Sequence, residues 1–482
     1  MGTLSVEILL SKVVLNNMSR NLTAKIKTRF GYSRMIKREI GGRQGSRLSG
    51  RLFAKQMDIL SEEFIENDSL NFPVTDGFSI GCLEFVDDVM TCTLGKKNQY
   101  EALSRVDEFA QISKLEWGAQ KCQVMQVGRK IKVPDTWTLG EKQICNTTSY
   151  KYLGDTITND GKNKVNIEKR FNTVQFIARQ INTTAASDVM KGIESKVILD
   201  LYHACIIPSF LNNAESWCLS NTEEKELDKL GIRILKRLFN LPEKTPNPAI
   251  IHSFGVLYTT QQIDQKKFMF LHKILKRPEN HWTKKMLVQL KTHNIGWAKS
   301  IQAKLSSYEL EQDWEKIKEH NKSRWKHIVY TAVKEKNKQK LLESCVQRGP
   351  NEEKIKTKTT YIYHDINNET FSNEALPEIT SSNKVDSKTI ILARCGMLEC
   401  GKNFKGTIPE ICRECGEEDD ESHRLNRCIL WKHLKFSETA EEIDFGEIYD
   451  NDRKKLSPVI KSIQNVWEMH YGNGSMRKLV AE

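Results

Sequence analysis

The chain has 482 residues, which is too many for one compact core and indicates several modules. Hydrophobic residues make up 39% of the sequence and charged residues 28%, a composition typical of folded domains with well-solvated surfaces. The net charge of +12 favours a polyanionic partner, with nucleic acid as the first candidate and an acidic membrane surface as the second.

The first residues carry no convincing targeting signal. Glu7 and Lys12 interrupt the apolar stretch of residues 1–15, and Val6 stands where a myristoylation signal needs Ser or Thr. No apolar run reaches the length of a membrane span, and the twelve cysteines are too sparse for a secreted disulfide framework. We therefore expect an intracellular protein, nuclear or cytoplasmic, that is neither secreted nor membrane-bound.

The segment 16–55 is strongly basic. It holds eleven Lys or Arg residues against the single acid Glu39, and Phe30, Tyr32 and Phe53 are interleaved with them. Cations alternating with aromatic rings suit a surface that follows a phosphate backbone. A solvated basic loop and helix would have the same composition, so both interpretations stay open.

Two adjacent aspartates, Asp87 and Asp88, interrupt an apolar stretch. Short apolar runs on both sides predict two strands that meet at the acidic pair. Two carboxylates at a hairpin tip can hold a divalent cation for nucleotidyl transfer. Such pairs are common, as Asp419-Asp420 shows, so the pair alone does not establish a catalytic site.

The pattern after this hairpin is first mixed and then helical. An amphipathic helix from Leu103 to Leu115 and a strand over residues 122–127 predict an α+β arrangement, an antiparallel sheet with helices on one face. After Gly161 the apolar spacing becomes helical throughout. One helix opens with the capping box Ser220 to Glu223. Its basic residues lie off the apolar stripe: Lys229, Arg233, Lys236 and Arg237.

The C-terminal third contains a predicted connector and a linker. Residues 280–347 look helical and basic, with four widely spaced tryptophans as packing anchors: Trp282, Trp297, Trp314 and Trp325. Residues 349–388 are rich in Asn, Ser, Thr, Lys and Glu, and their weak apolar pattern predicts a polar linker.

Cys412, Cys415, His423 and Cys428 have the ligand types and spacing of a closed tetrahedral zinc site. Four protein ligands leave no open coordination position, so the predicted role of Zn²⁺ is structural. Four unrelated reduced side chains are the alternative. Cys395 and the nearby Cys400 could be core thiols or a second half-site.

Four motifs in a fixed order suggest a family. From Gly41 to about Leu275 the chain resembles the reverse transcriptases of non-LTR (LINE-type) retrotransposons. The segments that carry the resemblance are Arg43-Gln44-Gly45, Phe85-Val86-Asp87-Asp88, Leu115 with Lys121, Tyr152-Leu153-Gly154 and the helical stretch 167–241.

The resemblance implies a role for each motif. Asp87 and Asp88 would bind Mg²⁺ or Mn²⁺, and Lys121 would help to protonate the pyrophosphate leaving group. The Arg43-Gln44-Gly45 motif would border the nucleotide and the template, and Tyr152-Leu153-Gly154 would form the primer grip. The implied partners are an RNA template, a DNA primer or target and a dNTP, with the oligomeric state left open.

The family carries a further catalytic aspartate upstream of the Arg-Gln-Gly motif, whereas the only acids before Arg43 here are Glu7 and Glu39. We therefore expect an N-terminally truncated member that lacks the fingers and is inactive alone. The alternatives are a non-catalytic RNA- or DNA-binding remnant, a host-adopted fragment and a decayed reading frame. The predicted divisions are a partial right-hand palm at 1–160, an all-helical thumb at 161–278, a helical connector at 279–348, the polar linker at 349–388, a zinc-knuckle region at 389–435 and an acidic, then basic, tail at 436–482.

Overall fold

A computed structural model describes most of the chain up to Cys428. The described ranges are 23–37, 49–75, 77–128, 136–185, 193–348, 353–355, 357–368 and 373–398, with residues 400, 403, 410–412, 415–421, 423 and 428. The predicted nucleotide and template motif Arg43-Gln44-Gly45 and the predicted tail at 436–482 lie outside these ranges.

The chain divides into two compact units between Leu153 and Gly154, and each is described by itself. Both contain helices and small sheets, so the fold is mixed α and β. The predicted palm boundary at residue 160 lies seven residues beyond this division, on the far side of a short strand.

The first unit begins with a basic hairpin, residues 23–37, and continues with helices that pack on short strands. Its helices and strands are β1 (Thr23–Ala24), β2 (Lys27–Thr28), β3 (Gly31–Tyr32), β4 (Ile36–Lys37), α1 (Ser49–Glu66), β5 (Phe72–Thr75), β6 (Phe78–Ile80), β7 (Cys82–Phe85), β8 (Asp88–Thr91), α2 (Gly95–Ser113), β9 (Gln123–Met125), β10 (Thr136–Leu139), β11 (Lys142–Thr147) and β12 (Ser149–Tyr152).

The core of this unit lies where α1 and α2 face the strands. Met57, Leu60 and Phe64 on α1 are spaced three to four residues apart, which places them on one side of the helix. They pack with Phe109 of α2 and with Trp137 of β10. The hairpin of β7 and β8 joins this core through the partly buried Cys82 and Val89.

The sheet of this unit differs from the predicted antiparallel one. The described strands form several small sheets, and in the three-stranded sheet β10–β11–β9 the outer strand β9 runs parallel to β11. The hairpin of β10 and β11 reverses direction, and β9 pairs with its second strand. Apolar spacing indicates that a strand is half-buried but not which neighbour it pairs with.

The second unit is mainly helical. Its helices and strands are β13 (Asp155–Thr158), α3 (Lys164–Ala185), α4 (Ser195–Leu201), a π-helical turn (Tyr202–Ile206), α5 (Ile207–Phe210), α6 (Asn221–Leu238), α7 (Asn247–Phe254), α8 (Thr259–Leu275), α9 (Trp282–Thr292), α10 (Gly296–Ser307), α11 (Trp314–Glu319), α12 (Lys322–Cys345), β14 (Val346–Arg348), β15 (Glu353–Ile355), α13 (Thr360–Asn367), α14 (Pro377–Thr380) and α15 (Lys384–Arg394).

Helix α6 begins at the predicted capping box. The Ser220 hydroxyl accepts from the Glu223 N–H at 3.3 Å, and the Glu223 carboxylate accepts from the Ser220 N–H at 2.8 Å. Leu227, Leu230 and Ile234 of this helix are buried, as their spacing predicts.

The predicted cationic face of α6 is smaller than expected. Lys229, Arg233 and Arg237 are exposed, but Lys236 is buried and donates to the Glu243 carbonyl and to Asn247, both at 2.8 Å. Burial lowers the pKa of the Lys236 ammonium group to about 8. The apolar stripe is wide enough to include position 236, whose stem lies in the core.

Three of the four predicted tryptophan anchors are packed within the second unit. Trp314 and Trp325 are buried, and the Trp325 indole donates to the Phe268 carbonyl at 3.0 Å. The Trp297 indole donates to the Glu215 carbonyl at 2.8 Å. Trp282 is 51% exposed at the start of α9 and does not act as an anchor.

The segment 349–388 differs from the predicted polar linker. Its described part forms α13, α14 and the start of α15, and Tyr361, Ile362 and Ile379 lie in the same core as α6 and α7. Asn383 caps the start of helix α15, and its side chain accepts from the Val385 and Asp386 N–H groups at 2.9 Å. Polar residues surround each short apolar cluster in the sequence, so the average composition concealed these helices.

One apolar core of the second unit joins helices of the predicted thumb to Leu341 and Cys345 at the end of α12 and to α13, α14 and α15. Within the described residues, no helix is both long and apolar enough to cross a membrane.

Candidate functional site

Asp87 and Asp88 lie at the tip of a hairpin formed by β7 and β8. Phe85 pairs with Asp88, which leaves Val86 and Asp87 as a two-residue turn. Val86 has a φ of 59°, a left-handed conformation that β-branched residues rarely adopt, and Val86 is 49% exposed. Both carboxylates are exposed, so the hairpin presents them to solvent.

A third acidic residue, Glu84, lies on the same hairpin but on its other face. Glu84 pairs with Val89, one position away from the pair that contains Asp88, and successive strand residues point to opposite faces. Burial raises the pKa of the Glu84 carboxyl, while hydrogen bonds with Ser61 and Cys82 partly offset that rise. The sequence pattern gave no reason to select Glu84.

The strand before the predicted primer grip lies close to the aspartate hairpin and to Lys121. The Tyr150 hydroxyl donates to the Lys121 carbonyl at 3.1 Å. Burial raises the pKa of both Tyr150 and Tyr152, and the nearby Asp88 carboxylate contributes to both rises. Three motifs that are separated in sequence therefore converge within the first unit.

Lys121 ends the 3-10 helix Ala119–Lys121, immediately before β9. Its side chain is exposed, while its backbone is held by the Tyr150 hydroxyl. The Lys121 backbone is therefore positioned by Tyr150, while its ammonium group remains accessible to solvent.

The predicted primer grip forms a tight turn. Leu153 and Gly154, between β12 and β13, have φ values of 47° and 88°. Two successive left-handed residues are the requirement of a type I′ hairpin turn, in which Gly is favoured. Leu153 is 39% exposed, and the division between the two units falls in this turn.

In the second unit, the Arg170 side chain on α3 forms hydrogen bonds with the first two residues of that unit, Gly154 and Asp155. Its side chain is 8% exposed and lies 5.3 Å from the centre of the Trp217 ring. Its hydrogen-bond acceptors are the Asp155 carboxylate at 2.6 Å, the Gly154 carbonyl and the Asn166 amide oxygen at 3.3 Å, and the Ser209 carbonyl at 3.4 Å. The sequence pattern did not identify Arg170, because a cation inside a helix usually lies on a solvated face.

Among the residues that the structure describes, no third carboxylate gathers with Asp87 and Asp88. The one group of three or more metal-binding side chains in this part of the chain is Cys412, Cys415, His423 and Cys428. In the sequence, the first aspartate is Asp58 on α1.

The four predicted zinc ligands lie together. Their ligand atoms are all within 4.8 Å of one another, and Cys412, His423 and Cys428 are buried. The sulfurs of Cys412 and Cys428 are 3.8 Å apart, and the Cys415 sulfur is 3.2 Å from His423 Nε2. A tetrahedron with Zn–S bonds of about 2.3 Å has an edge of about 3.8 Å, so this donor set fits Zn²⁺.

The backbone and a nearby carboxylate arrange this cluster. Gly416, with a φ of 79°, turns the chain after Cys415, and the Gly416 N–H donates to the Cys412 carbonyl at 2.9 Å. His423 Nδ1 lies 2.9 Å from a Glu417 carboxylate oxygen, which directs Nε2 towards the sulfurs. In the sequence alone, the acidic run from Glu417 to Glu421 indicates a solvated loop and gives no sign of this contact. Cys395 belongs to the helical core instead, and neither Cys395 nor Cys400 joins the group.

Comparison with known proteins bears on the first unit. The family model described as "Reverse transcriptase (RNA-dependent DNA polymerase)" matches residues 11–157. That range contains the aspartate hairpin, Lys121 and the turn at Leu153 and Gly154. A 237-residue region is 26% identical to the "Retrovirus-related Pol polyprotein from type-1 retrotransposable element R2" of Nasonia vitripennis. Residues 11–157 therefore match the reverse transcriptase family, and the chain is similar to the polyprotein of a non-LTR retrotransposon.

The similarity to the R2 polyprotein covers 47% of this chain and 22% of that relative. The chain thus spans about a fifth of the length of the relative that it matches. The aspartate hairpin, Lys121 and the Leu153–Gly154 turn therefore lie inside the reverse transcriptase segment, while the Cys/His cluster lies outside the matched family range.

Proposed function

We propose that this chain is the primer- and template-binding part of a non-LTR reverse transcriptase. In this proposal, Asp87 and Asp88 supply two of the carboxylates for RNA-directed DNA synthesis. The convergence of Asp88, Lys121 and Tyr150 within the reverse transcriptase segment carries the proposal. The first unit would act as a partial palm, and the helices of the second unit from α3 to α8 as the thumb.

The hairpin suits a divalent cation because two adjacent exposed carboxylates offer hard oxygen ligands with room for water and phosphate oxygens. A bound Mg²⁺ or Mn²⁺ would neutralise the charge that develops during phosphoryl transfer. Asp87 and Asp88 would hold it, and the Lys121 ammonium group would donate a proton to the departing pyrophosphate. Tyr152, Leu153 and Gly154 would hold the primer end, and Arg43, Gln44 and Gly45 would border the nucleotide and the template.

Polymerisation by this chain alone is expected to be weak or absent. A two-metal site needs a carboxylate that bridges both ions, and no third acid gathers at the hairpin among the described residues. This observation favours the second candidate function, an RNA- or DNA-binding protein without catalysis. The two functions share a nucleic-acid-binding surface and differ only in the chemistry at the hairpin.

We also propose that Cys412, Cys415, His423 and Cys428 hold a structural Zn²⁺. The basis is the closed four-ligand geometry, in which no position is left for substrate.

Metal binding at the hairpin tests the catalytic assignment without requiring turnover. The amount of Mn²⁺ bound to a complex of the chain, a primer–template and a dNTP can be measured by electron paramagnetic resonance. We expect an Asp87→Ala, Asp88→Ala double variant to lose Mn²⁺ while it keeps the primer–template. The exposed Glu62→Ala serves as the control. Equal Mn²⁺ binding by the double variant and the wild type would refute the assignment.

A further inference from the structure

The basic hairpin, residues 23–37, is an exposed ribbon with one sign of charge. It carries five cations and no acid. Thr23 and Ala24 pair with Lys37 and Ile36, and the β2–β3 strands continue the ribbon to a tight turn. Every residue in it is exposed except Ser33, which is half-buried.

The tip of this hairpin places a cation beside each of two aromatic rings. Lys27 lies directly opposite Tyr32 across the β2–β3 pair. The Arg29 guanidinium lies 4.7 Å from the centre of the Phe30 ring. The Thr28 hydroxyl fixes the turn by accepting from the Phe30 N–H at 3.2 Å and donating to the Gly31 carbonyl at 3.0 Å.

The two rings face water. Phe30 is 86% exposed and Tyr32 is 68% exposed, and Met35 and Ile26 are also more than half exposed. A run of large apolar groups held in solvent by a regular backbone is typical of a binding surface rather than of a core.

The polar groups of the hairpin suit phosphates better than base edges. It contains no Asn, Gln, Asp or Glu, the side chains that read the edges of adenine and cytosine. The Thr28 hydroxyl donates to Gly31 and the Ser33 hydroxyl donates to the Arg34 carbonyl at 2.8 Å. Cations bind phosphates of any sequence, and aromatic rings stack on any unpaired base.

We propose that this hairpin docks an unpaired nucleic-acid strand. Bases stack on Phe30 and Tyr32, and Lys27 and Arg29 neutralise the adjoining phosphates. A paired strand offers no free base faces, so the hairpin selects single strands over duplexes. The inference rests on the proposed nucleic-acid-binding function and identifies the form of the polymer that this element takes.

The test measures binding of the full chain to fluorescent poly(U), poly(dT) and a mixed-sequence duplex by anisotropy. A Phe30→Ala, Tyr32→Ala double variant should bind single strands at least about 5-fold more weakly, the effect of losing one stacked base. Its affinity should keep the same salt dependence, because no cation is lost. Tyr330→Ala is the matched control, since Tyr330 is a 41% exposed aromatic residue on α12, outside the proposed thumb.

A Lys27→Gln, Arg29→Gln double variant should change the salt dependence instead. Each phosphate contact on a single strand contributes about 0.7 to the slope of log affinity against log salt, so the slope should fall by about 1.4. Lys316→Gln is the control, because Lys316 lies 3.8 Å from Glu311 and already has an acidic partner.

Four results would overturn the inference. The first is single-strand affinity in the aromatic variant equal to that of the wild type, which would leave the proposed function intact. The second is tighter binding of the duplex than of either single strand by the wild type. The third is a changed melting temperature or oligomeric state in the aromatic variant, which would show that the rings pack against protein. The fourth, no binding of any nucleic acid by the wild type, would refute the proposed function as well.

Discussion

At the scale of single residues, the side chains that organise each site are ones that sequence patterns did not identify. The sequence pattern assigned no role to Arg170 and indicated a solvated loop around Glu417, because charged residues in helices and acidic loops usually lie on the surface. The structure gives each a specific partner: Asp155 for Arg170 and His423 for Glu417. Neither contact follows from spacing, since Arg170 and Asp155 lie on different elements.

Replacement of Glu417 should weaken metal binding. In Glu417→Gln the carboxylate that accepts from His423 Nδ1 is lost, and removal of such a partner typically lowers metal affinity by about 10- to 100-fold. Competition with a chromophoric chelator measures the Zn²⁺ affinity, and the d–d spectrum of the Co²⁺ form reports the ligand geometry. Glu418→Gln is the neighbouring control. A Zn²⁺ affinity unchanged in Glu417→Gln would show that the contact does not orient His423.

Replacement of Arg170 should destabilise the second unit. Arg170→Met leaves the Asp155 carboxylate, which is only 18% exposed, without its cation, and breaking a pair at such burial costs about 3 kcal/mol. The free energy of unfolding from a urea titration measures this loss. Lys164→Met is the control, because its exposed pair with Glu168 at 4.0 Å should contribute less than about 0.5 kcal/mol. Equal losses in the two variants would contradict the assigned role of Arg170.

At the scale of secondary structure, the sequence predicted the elements with strong periodicity and missed those with weak periodicity. The aspartate hairpin and α6 with its Ser220–Glu223 capping box follow directly from apolar spacing and from the capping residues. Helices α13 and α14 were missed because their apolar clusters are short and surrounded by polar residues. The parallel pairing of β9 with β11 was missed because pairing partners depend on the tertiary fold.

A core substitution in α13 distinguishes a packed helix from a linker. Ile362 is fully buried in the core of the second unit, so Ile362→Ala should lower the free energy of unfolding by about 2 to 4 kcal/mol. The exposed Val385→Ala on α15 should change it by less than about 0.5 kcal/mol. Urea titration compares the two variants, and a loss in Ile362→Ala as small as that in Val385→Ala would mean that this segment is a linker.

At the scale of the whole molecule, one apolar core joins helices of the predicted thumb to the end of α12 and to α13, α14 and α15, so the divisions predicted at residues 348 and 388 do not separate different cores. Composition changes marked those boundaries, but burial is shared across them. The order of motifs in the first unit was sufficient to indicate its family. The sequence could not predict that these motifs lie close to one another near Asp88, because Tyr150 and Lys121 belong to separate strands and turns.

Removal of metal should affect the Cys/His cluster selectively. A chelator should remove amide hydrogen-exchange protection at the described positions from Glu410 to Cys428, because the proposed metal would link Cys412 and Cys415 to the later ligands. Protection in α6 and α8 should remain. Cys412→Ser should reproduce the loss without a chelator. Protection near the cluster that survives both treatments would show that the four side chains do not need a metal.

RNA-templated primer extension in Mg²⁺ or Mn²⁺, run beside a primer–template binding assay, tests the central claim most directly. We expect the wild type and the Asp87→Ala, Asp88→Ala variant to bind the primer–template with equal affinity that falls steeply with salt, and we expect neither to extend the primer. Extension by the wild type that the double variant lacks would show that a complete catalytic site assembles within this chain. Binding that does not change with salt would contradict the assignment of a phosphate-binding surface.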